Sequence, residues 1–325
     1  MLETWGNFLK LMVTSAVLTL TLAFAAVVAI DPYGRLGIKK THQTAFVTER
    51  LIKVTRALDA EFDSAIVGNS TSLLLMPEHL DRLIGHKFVS LSIYGTGPEA
   101  ILAVSRFFID NHPNARSVVV GLEDSWCRAP GQTGEWRPFP FWLYSTVPRY
   151  LLGLAGETST KLLLSLRDPK ERLPEDGFQS YESGFIANGL GDSETVRKNL
   201  TRPRPTNLDN QSLEFPATRK LAEFANNVTR QVAIVLIWTP RYINLIPEPA
   251  SPAAKADNAC KASLADSVAG NPNIKVIDAS GDSRPENANP ANFFDFIHYR
   301  RSLADLIERE IAAALASPMT QSNAL

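Results

Sequence analysis

Cysteine and histidine are scarce in this sequence, and neither is arranged as a metal site. The 325 residues include two cysteines, Cys127 and Cys260, with no Cys-x-x-Cys pair and no histidine at zinc-ligand spacing. No HExxH or phosphate-binding GxxxxGK[ST] pattern is present, so we expect neither a metal nor another cofactor. One disulfide is an option in an oxidising compartment, but two unpaired small hydrophobic side chains are the favoured interpretation.

The sequence also has no excess of charge of either sign. Its 33 basic and 34 acidic side chains give a formal net charge of −1. Without a basic field, nucleic acid is not an expected partner. Hydrophobic residues make up 45% of the chain, which is enough for a sizeable core.

Charge is missing altogether from one long stretch near the N-terminus. Residues 11–30 are uncharged and are bounded by Lys10 and Asp31. Twenty helical residues span about 30 Å, the thickness of a bilayer's hydrocarbon core. The run exceeds the usual signal-peptide core of about 7–15 residues. We therefore predict a retained membrane anchor over residues 1–30, with a cleaved signal peptide as the alternative.

The charges on either side of this segment favour a cytoplasmic location for the residues that follow it. Arg35, Lys39 and Lys40 follow the segment, whereas Lys10 precedes it together with Glu3. The positive-inside rule would then keep the rest of the chain in the cytoplasm. That rule is weak for long translocated domains, so the residues alone leave the orientation open.

Short apolar runs alternate with helical stretches from residue 61 to residue 320. The predicted strands cover residues 64–68, 88–94, 117–122, 231–238 and 274–278, and the longest predicted helices cover 98–111 and 300–315. Such alternation indicates a parallel sheet covered on both faces. We predict a doubly wound, flavodoxin-like α/β domain of about five strands, preceded by a connecting segment at 31–60. Ligands of such domains bind beyond the carboxyl ends of the strands.

A long stretch interrupts this alternation after the third strand. Residues 126–213 are rich in proline, glycine and aromatic residues and are too long for a simple crossover. We predict an insertion that covers one side of the site, with Trp126, Trp136 and Trp142 as candidates for contact with a substrate. The favoured alternative is that the aromatic residues of the insertion form its own small core.

A serine follows the first predicted strand in the sequence Gly68-Asn69-Ser70. At a turn between a strand and a helix, its hydroxyl would be exposed. Its backbone N–H would lie near a helix N-terminus, where developing negative charge is stabilised. Gly68 would permit the tight turn. Such turns commonly serve as helix N-caps, so this motif alone is a weak signal.

An acid and a histidine follow the last predicted strand. Asp295 and His298 are three residues apart, and a helical turn would bring such side chains to one face. The aspartate would accept a hydrogen bond from one imidazole nitrogen and leave the other free to take a proton from a serine. A structural histidine at a helix start is the simpler interpretation of this pair alone.

Taken together, these blocks resemble the SGNH (GDSL-like) hydrolase superfamily. IVGNSTS is similar to its nucleophile block, SLSIYGTG to its glycine block and FFDFIHY to its Asp-x-x-His block, and the resemblance covers about residues 60–316. It implies Ser70 as nucleophile, His298 as general base and Asp295 as the group that orients the histidine. It also implies an oxyanion hole built from the N–H groups of Ser70 and Gly95.

The anchor, the insertion and the ending resemble the membrane-tethered branch that acts in cell-envelope polysaccharide acylation. That branch includes alginate O-acetylation proteins and the D-alanyl transfer protein of teichoic acids. The resemblance implies a serine esterase or O-acyltransferase at a bacterial-type inner membrane, on the periplasmic side. It implies an acylated saccharide or small acyl ester as substrate and an integral-membrane acyl donor as partner.

Two departures from the family pattern leave an alternative open. Asn69 stands where an aspartate is usual and is a lesser candidate for substrate binding. The third block normally supplies an asparagine to the oxyanion hole, but here Glu123 and Asp124 occupy that region. Losing one such donor typically lowers the rate by about 10²–10³. A catalytically inactive module that binds a polysaccharide or a protein partner is therefore the alternative.

A less favoured alternative rests on the glycines after the second strand. Gly95-Thr96-Gly97-Pro98 begins a G-x-G-x-x-A sequence like that of a dinucleotide-binding turn, which would make the protein an oxidoreductase. The turn follows the second strand rather than the first. Pro98 also lacks the N–H that a pyrophosphate needs at a helix start.

Overall fold

The computed structural model describes residues 2–37, 49–132, 138–157, 176–178, 180–182, 186, 194–201, 203–206, 210–228 and 232–316. The chain forms two compact units. The first combines Met1–Thr55 with Pro140–Arg172, and the second combines Arg56–Phe139 with Leu173–Leu325. The stretch predicted as one insertion, residues 126–213, is therefore divided between the two units.

The α-helices within the described residues are, in chain order, α1 (Leu2–Ile30), α2 (Glu49–Arg56), α3 (Pro77–Ile84), α4 (Pro98–Asn111), α5 (Val147–Glu157), α6 (Glu194–Asn199), α7 (Pro216–Asn226), α8 (Pro252–Val268) and α9 (Arg301–Ala316). The strands are β1 (Ser64–Val67), β2 (Phe88–Ser90), β3 (Ser117–Leu122), β4 (Ala233–Trp238) and β5 (Ile274–Asp278).

Helix α1 is long and apolar, and its most hydrophobic window is not buried by the residues that the structure describes. Trp5–Ile30 has a mean hydropathy of 2.3, and none of that window is buried. A helix of this length and composition suits a membrane span, and a signal sequence at an N-terminus has the same properties.

The second unit is built around one sheet of five parallel strands, in the order β2-β1-β3-β4-β5. Strands β1, β2 and β3 are buried at every position, as expected for apolar strands covered by helices on both faces. Because β1 lies between β2 and β3, the strand order reverses at β1. The crevice between the carboxyl ends of β1 and β3 is where such sheets bind their ligands.

The core lies between this sheet and the helices α3 and α9. Its central members are apolar side chains with almost no exposure: Ile66, Leu75, Leu80, Phe88, Val119, Val235, Ile307 and Ile311. Full burial of each such side chain stabilises the fold by about 1.5–3 kcal/mol relative to exposure.

The glycine-containing loop after β2 stays attached to β1. The structure ends β2 at Ser90, earlier than predicted. The backbone N–H groups of Leu91 and Ile93 nevertheless donate to the carbonyls of Ile66 and Gly68, at 2.8 and 3.0 Å. These bonds hold the loop beside the carboxyl end of β1.

Cys127 and Cys260 form a disulfide across 133 residues of sequence. The favoured interpretation of two unpaired side chains is wrong. Cys127 ends a short 3-10 turn after β3, and Cys260 is buried on α8. The pairing arises from tertiary packing of that turn against α8, which residue spacing does not encode. The disulfide and the N-terminal apolar helix both point to an extracytoplasmic location.

Candidate active site

Ser70 opens a short 3-10 turn directly after β1, at the carboxyl edge of the sheet. Asn69 caps this turn, because its Oδ1 accepts hydrogen bonds from the N–H of Thr71 at 3.0 Å and from the Thr71 hydroxyl at 2.9 Å. The oxygen of Asn69, a predicted substrate contact, is thus used within the turn. Among the described residues, the backbone N–H of Ser70 donates to no acceptor.

Two glycines make room for this turn. The φ angle of Gly68 lies outside the left-handed region, so the prediction that it permits a tight turn gives the wrong cause. A Cβ at either Gly68 or Gly121 would overlap the side chain of Ser72. Both positions therefore need glycine for space. No sequence pattern marks Gly121, because strand register decides that it lies beside the turn that follows β1.

Asp295 and His298 lie in a tight loop between β5 and α9. An isolated antiparallel bridge joins Phe293 to Tyr299 across the base of this loop. Asp295 Oδ1 accepts from the N–H of Ile297 at 2.8 Å and from the N–H of His298 at 2.7 Å. The predicted proximity of the acid and the imidazole therefore arises from an Asp-capped turn, and not from a helical turn.

The second carboxylate oxygen of Asp295 meets the imidazole. His298 Nδ1 lies 2.7 Å from Asp295 Oδ2. Burial alone would raise the pKa of Asp295, but the hydrogen bond and charge of His298 and the two backbone N–H groups hold it below its usual range. An ionised carboxylate only accepts hydrogen bonds, so His298 Nδ1 is the protonated nitrogen.

The other imidazole nitrogen faces Ser70. His298 Nε2 lies 3.1 Å from Ser70 Oγ, although the two residues are 228 positions apart. Each of the two residues retains 8% of its surface exposed. Ser70, His298 and Asp295 thus form one continuous chain of hydrogen bonds, and an imidazole at this distance can take a proton from the hydroxyl.

Gly95 lies in the loop that is hydrogen-bonded to β1. It adopts φ 65°, in the left-handed region that favours glycine. The hydroxyl of Thr96 donates to the carbonyl of Ile93 at 2.8 Å and closes the turn around Gly95. This predicted oxyanion donor therefore has a backbone conformation fixed by its own loop.

Glu123 occupies the end of β3, where the resemblance leads one to expect an asparagine. The hydroxyl of Ser125 donates to the carboxyl of Glu123. Desolvation of this carboxyl by the surrounding protein raises the pKa of Glu123 well above its usual range, and the neighbouring Asp124 raises it further. Partial desolvation acts to raise the pKa of Asp124, but the hydrogen bond from Glu123 and the charges of Arg128 and Arg241 lower it. The proton shared by the two carboxyls is therefore held by Glu123 in preference to Asp124.

Tyr181 contacts the imidazole and was not identified from the sequence. Its ring packs edge-on against His298, with 5.0 Å between ring centroids, and its hydroxyl donates to the carbonyl of Tyr299. Burial is the main reason that its pKa is raised, so the hydroxyl stays protonated. No sequence pattern identifies Tyr181, because the stretch between β3 and β4 has no motif that links it to the loop before α9.

The three tryptophans predicted as substrate contacts belong to different parts of the chain. Trp126 is fully buried, which does not fit contact with a substrate. Trp142 lies in the first unit, with its ring centroid 5.5 Å from that of Tyr33 and 5.9 Å from that of Tyr150. This packing resembles the alternative of a separate small aromatic core, with Tyr33 added from outside the insertion. Trp136 lies outside the described residues.

A second histidine with carboxylates occurs between α3 and α9. One nitrogen or oxygen from each of His79, Asp305 and Glu308 lies within 4.8 Å of the others. The guanidinium of Arg301 lies among them, 2.5 Å from Asp305 and 2.8 Å from Glu308 Oε1. The positive charge in this cluster is therefore an arginine of the chain itself.

A scan against models of protein families finds no match for this chain, and a search among curated proteins finds none either. The fold and the side-chain geometry therefore carry the functional conclusion by themselves.

Proposed function

We propose that this protein is a membrane-anchored serine esterase or O-acyltransferase that works through an acyl-Ser70 intermediate. The observation that carries the proposal is the chain of contacts from Ser70 Oγ to His298 Nε2 at 3.1 Å and from His298 Nδ1 to Asp295 at 2.7 Å. These distances are within the range for a nucleophile, its base and the group that orients the base.

In the first half of the reaction, Ser70 Oγ attacks the carbonyl carbon of an acyl ester while His298 Nε2 takes its proton. The tetrahedral intermediate collapses, and His298 returns that proton to the departing alcohol, which leaves an acyl ester on Ser70. In the second half, His298 removes a proton from water or a sugar hydroxyl, whose oxygen attacks the acyl group. The bond between the acyl carbon and Ser70 Oγ then breaks, and His298 returns the proton to Ser70 Oγ. Asp295 stays ionised throughout and stabilises the imidazolium formed in each half.

The N–H groups of Ser70 and Gly95 are the proposed donors to the developing oxyanion. Two observations support this assignment: the Ser70 N–H donates to no acceptor within the described ranges, and Gly95 has a left-handed backbone conformation. The flavodoxin-like strand order and the position of Ser70 after the strand at which that order reverses support the SGNH-like arrangement. Glu123 replaces the asparagine of that arrangement, so the proposed hole has two backbone donors.

The proposed substrate is an acylated saccharide of the cell envelope or a small acyl ester, with an integral-membrane protein as acyl donor. The proposed site of action is the periplasmic side of a bacterial-type inner membrane, with α1 as a single-pass anchor. The apolar helix and the disulfide support this location, because disulfides persist in oxidising compartments.

A fluorophosphonate probe tests the proposal because it reacts with activated serines. We expect the folded protein to be labelled at Ser70, with labelling lost in Ser70→Ala and in His298→Ala. Ser302→Ala is the matched control, since Ser302 is exposed on α9, and it should be labelled like the parent. A folded protein that is not labelled at neutral pH would contradict the proposal.

A catalytically inactive binding module is the second candidate. The observation that favours it is Glu123, whose carboxyl interacts with Asp124 and accepts from Ser125 instead of supplying an asparagine donor. Glycan binding that survives Ser70→Ala, together with no turnover of any small acyl ester, would favour this candidate over the enzyme.

The dinucleotide alternative has less support. Its glycine turn follows β2, which is the edge strand of the sheet, and Pro98 is the first residue of α4. An increase in Tm with NAD would be expected only if this turn binds the dinucleotide.

A further inference from the structure

Helix α5 is fastened to the end of the apolar helix α1. Asp31, the first residue after α1, caps a turn by accepting from the N–H groups of Arg35 and Leu36, both at 2.9 Å. The guanidinium of Arg35 donates to the carbonyl of Ser145 at 2.8 Å, and the hydroxyl of Tyr150 donates to Asp31 at 3.3 Å. The start of α5 therefore lies at the level where α1 ends.

Aromatic packing fixes α5 in this position. Tyr33 and Tyr150 both contact the ring of Trp142, and Tyr33 and Tyr150 are almost fully buried. A Cβ at Gly153 would overlap the Trp142 ring, so the indole lies flat on α5 where the glycine leaves space. The side of α5 that carries Tyr150 is thus held by the segment that follows α1.

Part of the surface formed by α5 and the segment before it is apolar and exposed. The side chain of Leu152 is 75% exposed and that of Phe141 is 43% exposed. Both line a cavity of about 400 Å³, whose other lining residues are Trp142, Ser145, Arg149 and Gly153. On α5, positions 149, 152 and 153 share one side because they are three or four residues apart, and Phe141, Trp142 and Ser145 come from the segment just before the helix. We call this surface the α5 face.

We infer that the α5 face lies in the headgroup region of the bilayer that α1 crosses. The inference rests on the membrane anchoring proposed above and is independent of the proposed chemistry. If α1 crosses the bilayer, its end at Ile30 is at the polar boundary, and the contacts of Asp31 and Arg35 hold α5 there.

The composition of the α5 face fits that occupant. Tryptophan is enriched at the boundary between membrane and water because the indole is apolar with one polar group. Phe141 and Leu152 supply apolar side chains for the acyl boundary, and Arg149 supplies a cation for lipid phosphates. The direct attachment to α1 favours lipid over a protein partner, since lipid surrounds a membrane helix on every side where no protein covers it.

Depth-dependent fluorescence quenching tests the inference on the full chain in phosphatidylcholine vesicles. Leu152→Cys is labelled with an environment-sensitive dye, and the native cysteines do not react because they form the disulfide. We expect lipids with a headgroup nitroxide to lower the emission about twofold, and the dye's emission to shift to the blue, as for an interfacial position.

Two further labelled positions make the result decisive. Val147→Cys is the matched control on the same helix, because Val147 is 41% exposed and lies about 140° around the axis from Leu152. We expect much weaker quenching there. Leu18→Cys in α1 should be quenched by nitroxides deep in the acyl chains, which verifies that the anchor is in the bilayer.

The inference is overturned if the Leu152 label is not quenched while the Leu18 label is, because a protein or water would then cover the α5 face. Equal quenching at positions 147 and 152 also overturns it, since a generally close approach to the membrane would explain both. Loss of the Leu18 label by cleavage overturns it as well. None of these outcomes affects whether Ser70 reacts with a fluorophosphonate.

Discussion

Two histidines in the second unit each contact a carboxylate, but only one of them faces a hydroxyl. His298 contacts Asp295 with Nδ1 and Ser70 Oγ with Nε2. His79 contacts Glu308 with Nδ1, and Arg301 lies 3.1 Å from the same nitrogen. Both pairs involve the region of α9, because Asp295 and His298 lie just before this helix and Glu308 lies on it. The difference therefore arises from what surrounds each imidazole.

In the cluster of His79, Arg301 and Glu308, both carboxylate oxygens of Glu308 accept hydrogen bonds from groups of the protein. Glu308 has no exposed surface, and it accepts from the backbone N–H of Met76 as well as from Arg301. Such a pair links α3 to α9 and balances charge inside the fold. In the part of the chain that the structure describes, Asp295 accepts from backbone N–H groups and the imidazole, and the other imidazole nitrogen is directed at Ser70. A histidine and an acid therefore become a candidate catalytic pair only when a third group, here the Ser70 hydroxyl, can react with help from the imidazole. In the other cluster the third group is the Arg301 guanidinium.

The largest expected effect is the loss of activity when the Ser70 hydroxyl or the His298 imidazole is removed. Ser70→Ala and His298→Ala are each expected to lower kcat for a small acyl ester by about 10⁴–10⁶, and the double variant should be no slower than either single variant. Steady-state kinetics with an acetyl ester measures this. Additive losses in the double variant would show that the two side chains do not act as one unit.

Removing the acid of the other cluster should affect stability instead. Glu308→Ala is expected to lower the free energy of unfolding by about 3–5 kcal/mol, because it leaves the partly buried Arg301 without its main partner. Urea unfolding measures this loss. Glu78→Ala is the matched control, because the Glu78–Arg82 pair on α3 is mostly exposed, and it should cost at most about 1 kcal/mol. A large loss of kcat in folded Glu308→Ala, with unfolding unchanged, would reverse the comparison.

The next prediction concerns Tyr181, whose ring packs against the imidazole of His298. Tyr181→Ala removes the ring that packs against His298, and it is expected to lower kcat about tenfold with KM nearly unchanged. Tyr181→Phe keeps the ring and loses only the hydrogen bond to Tyr299, so it should retain most of kcat. A change in KM alone in both variants would instead indicate that Tyr181 binds substrate and does not position the base.

The smallest expected effect concerns pH. The pKa of Asp295 is lowered in the folded state, so its contribution to stability is fully present above the unfolded pKa of about 3.9. That contribution should fade as the pH drops through the lower, folded pKa. The difference in unfolding free energy between the parent and Asp295→Asn should therefore be constant from pH 7 to about pH 5 and shrink towards pH 3. A difference that grows in acid would mean that the carboxylate is not stabilised by its partners.

Strand runs and helix starts were predictable because their signals are local. The bounds predicted for residues 117–122, 274–278 and 98–111 agree with β3, β5 and α4. Both strands are rich in valine and isoleucine, and α4 begins at a proline in its favoured first position. The three members of the proposed triad were predictable as neighbours because parallel strands present their carboxyl ends at one edge.

Features that depend on distant packing were not predictable. The disulfide needs the turn after β3 to meet α8, and the contact of Tyr181 with His298 needs the stretch after β3 to return to the last loop. The glycine at position 121 is required only because Ser72 from the neighbouring strand end points at it. None of these contacts has a counterpart in spacing or periodicity.

The bond between Cys127 and Cys260 makes a covalent ring of the polypeptide between them. That ring encloses β4, α7 and most of the stretch predicted as an insertion. A protease that cuts once inside the ring leaves a single molecule, whose two pieces separate only after reduction. Nicked protein should therefore migrate as an intact chain on a non-reducing gel. The segment between β3 and β4 can also change in length or be cleaved without releasing the strands that follow it.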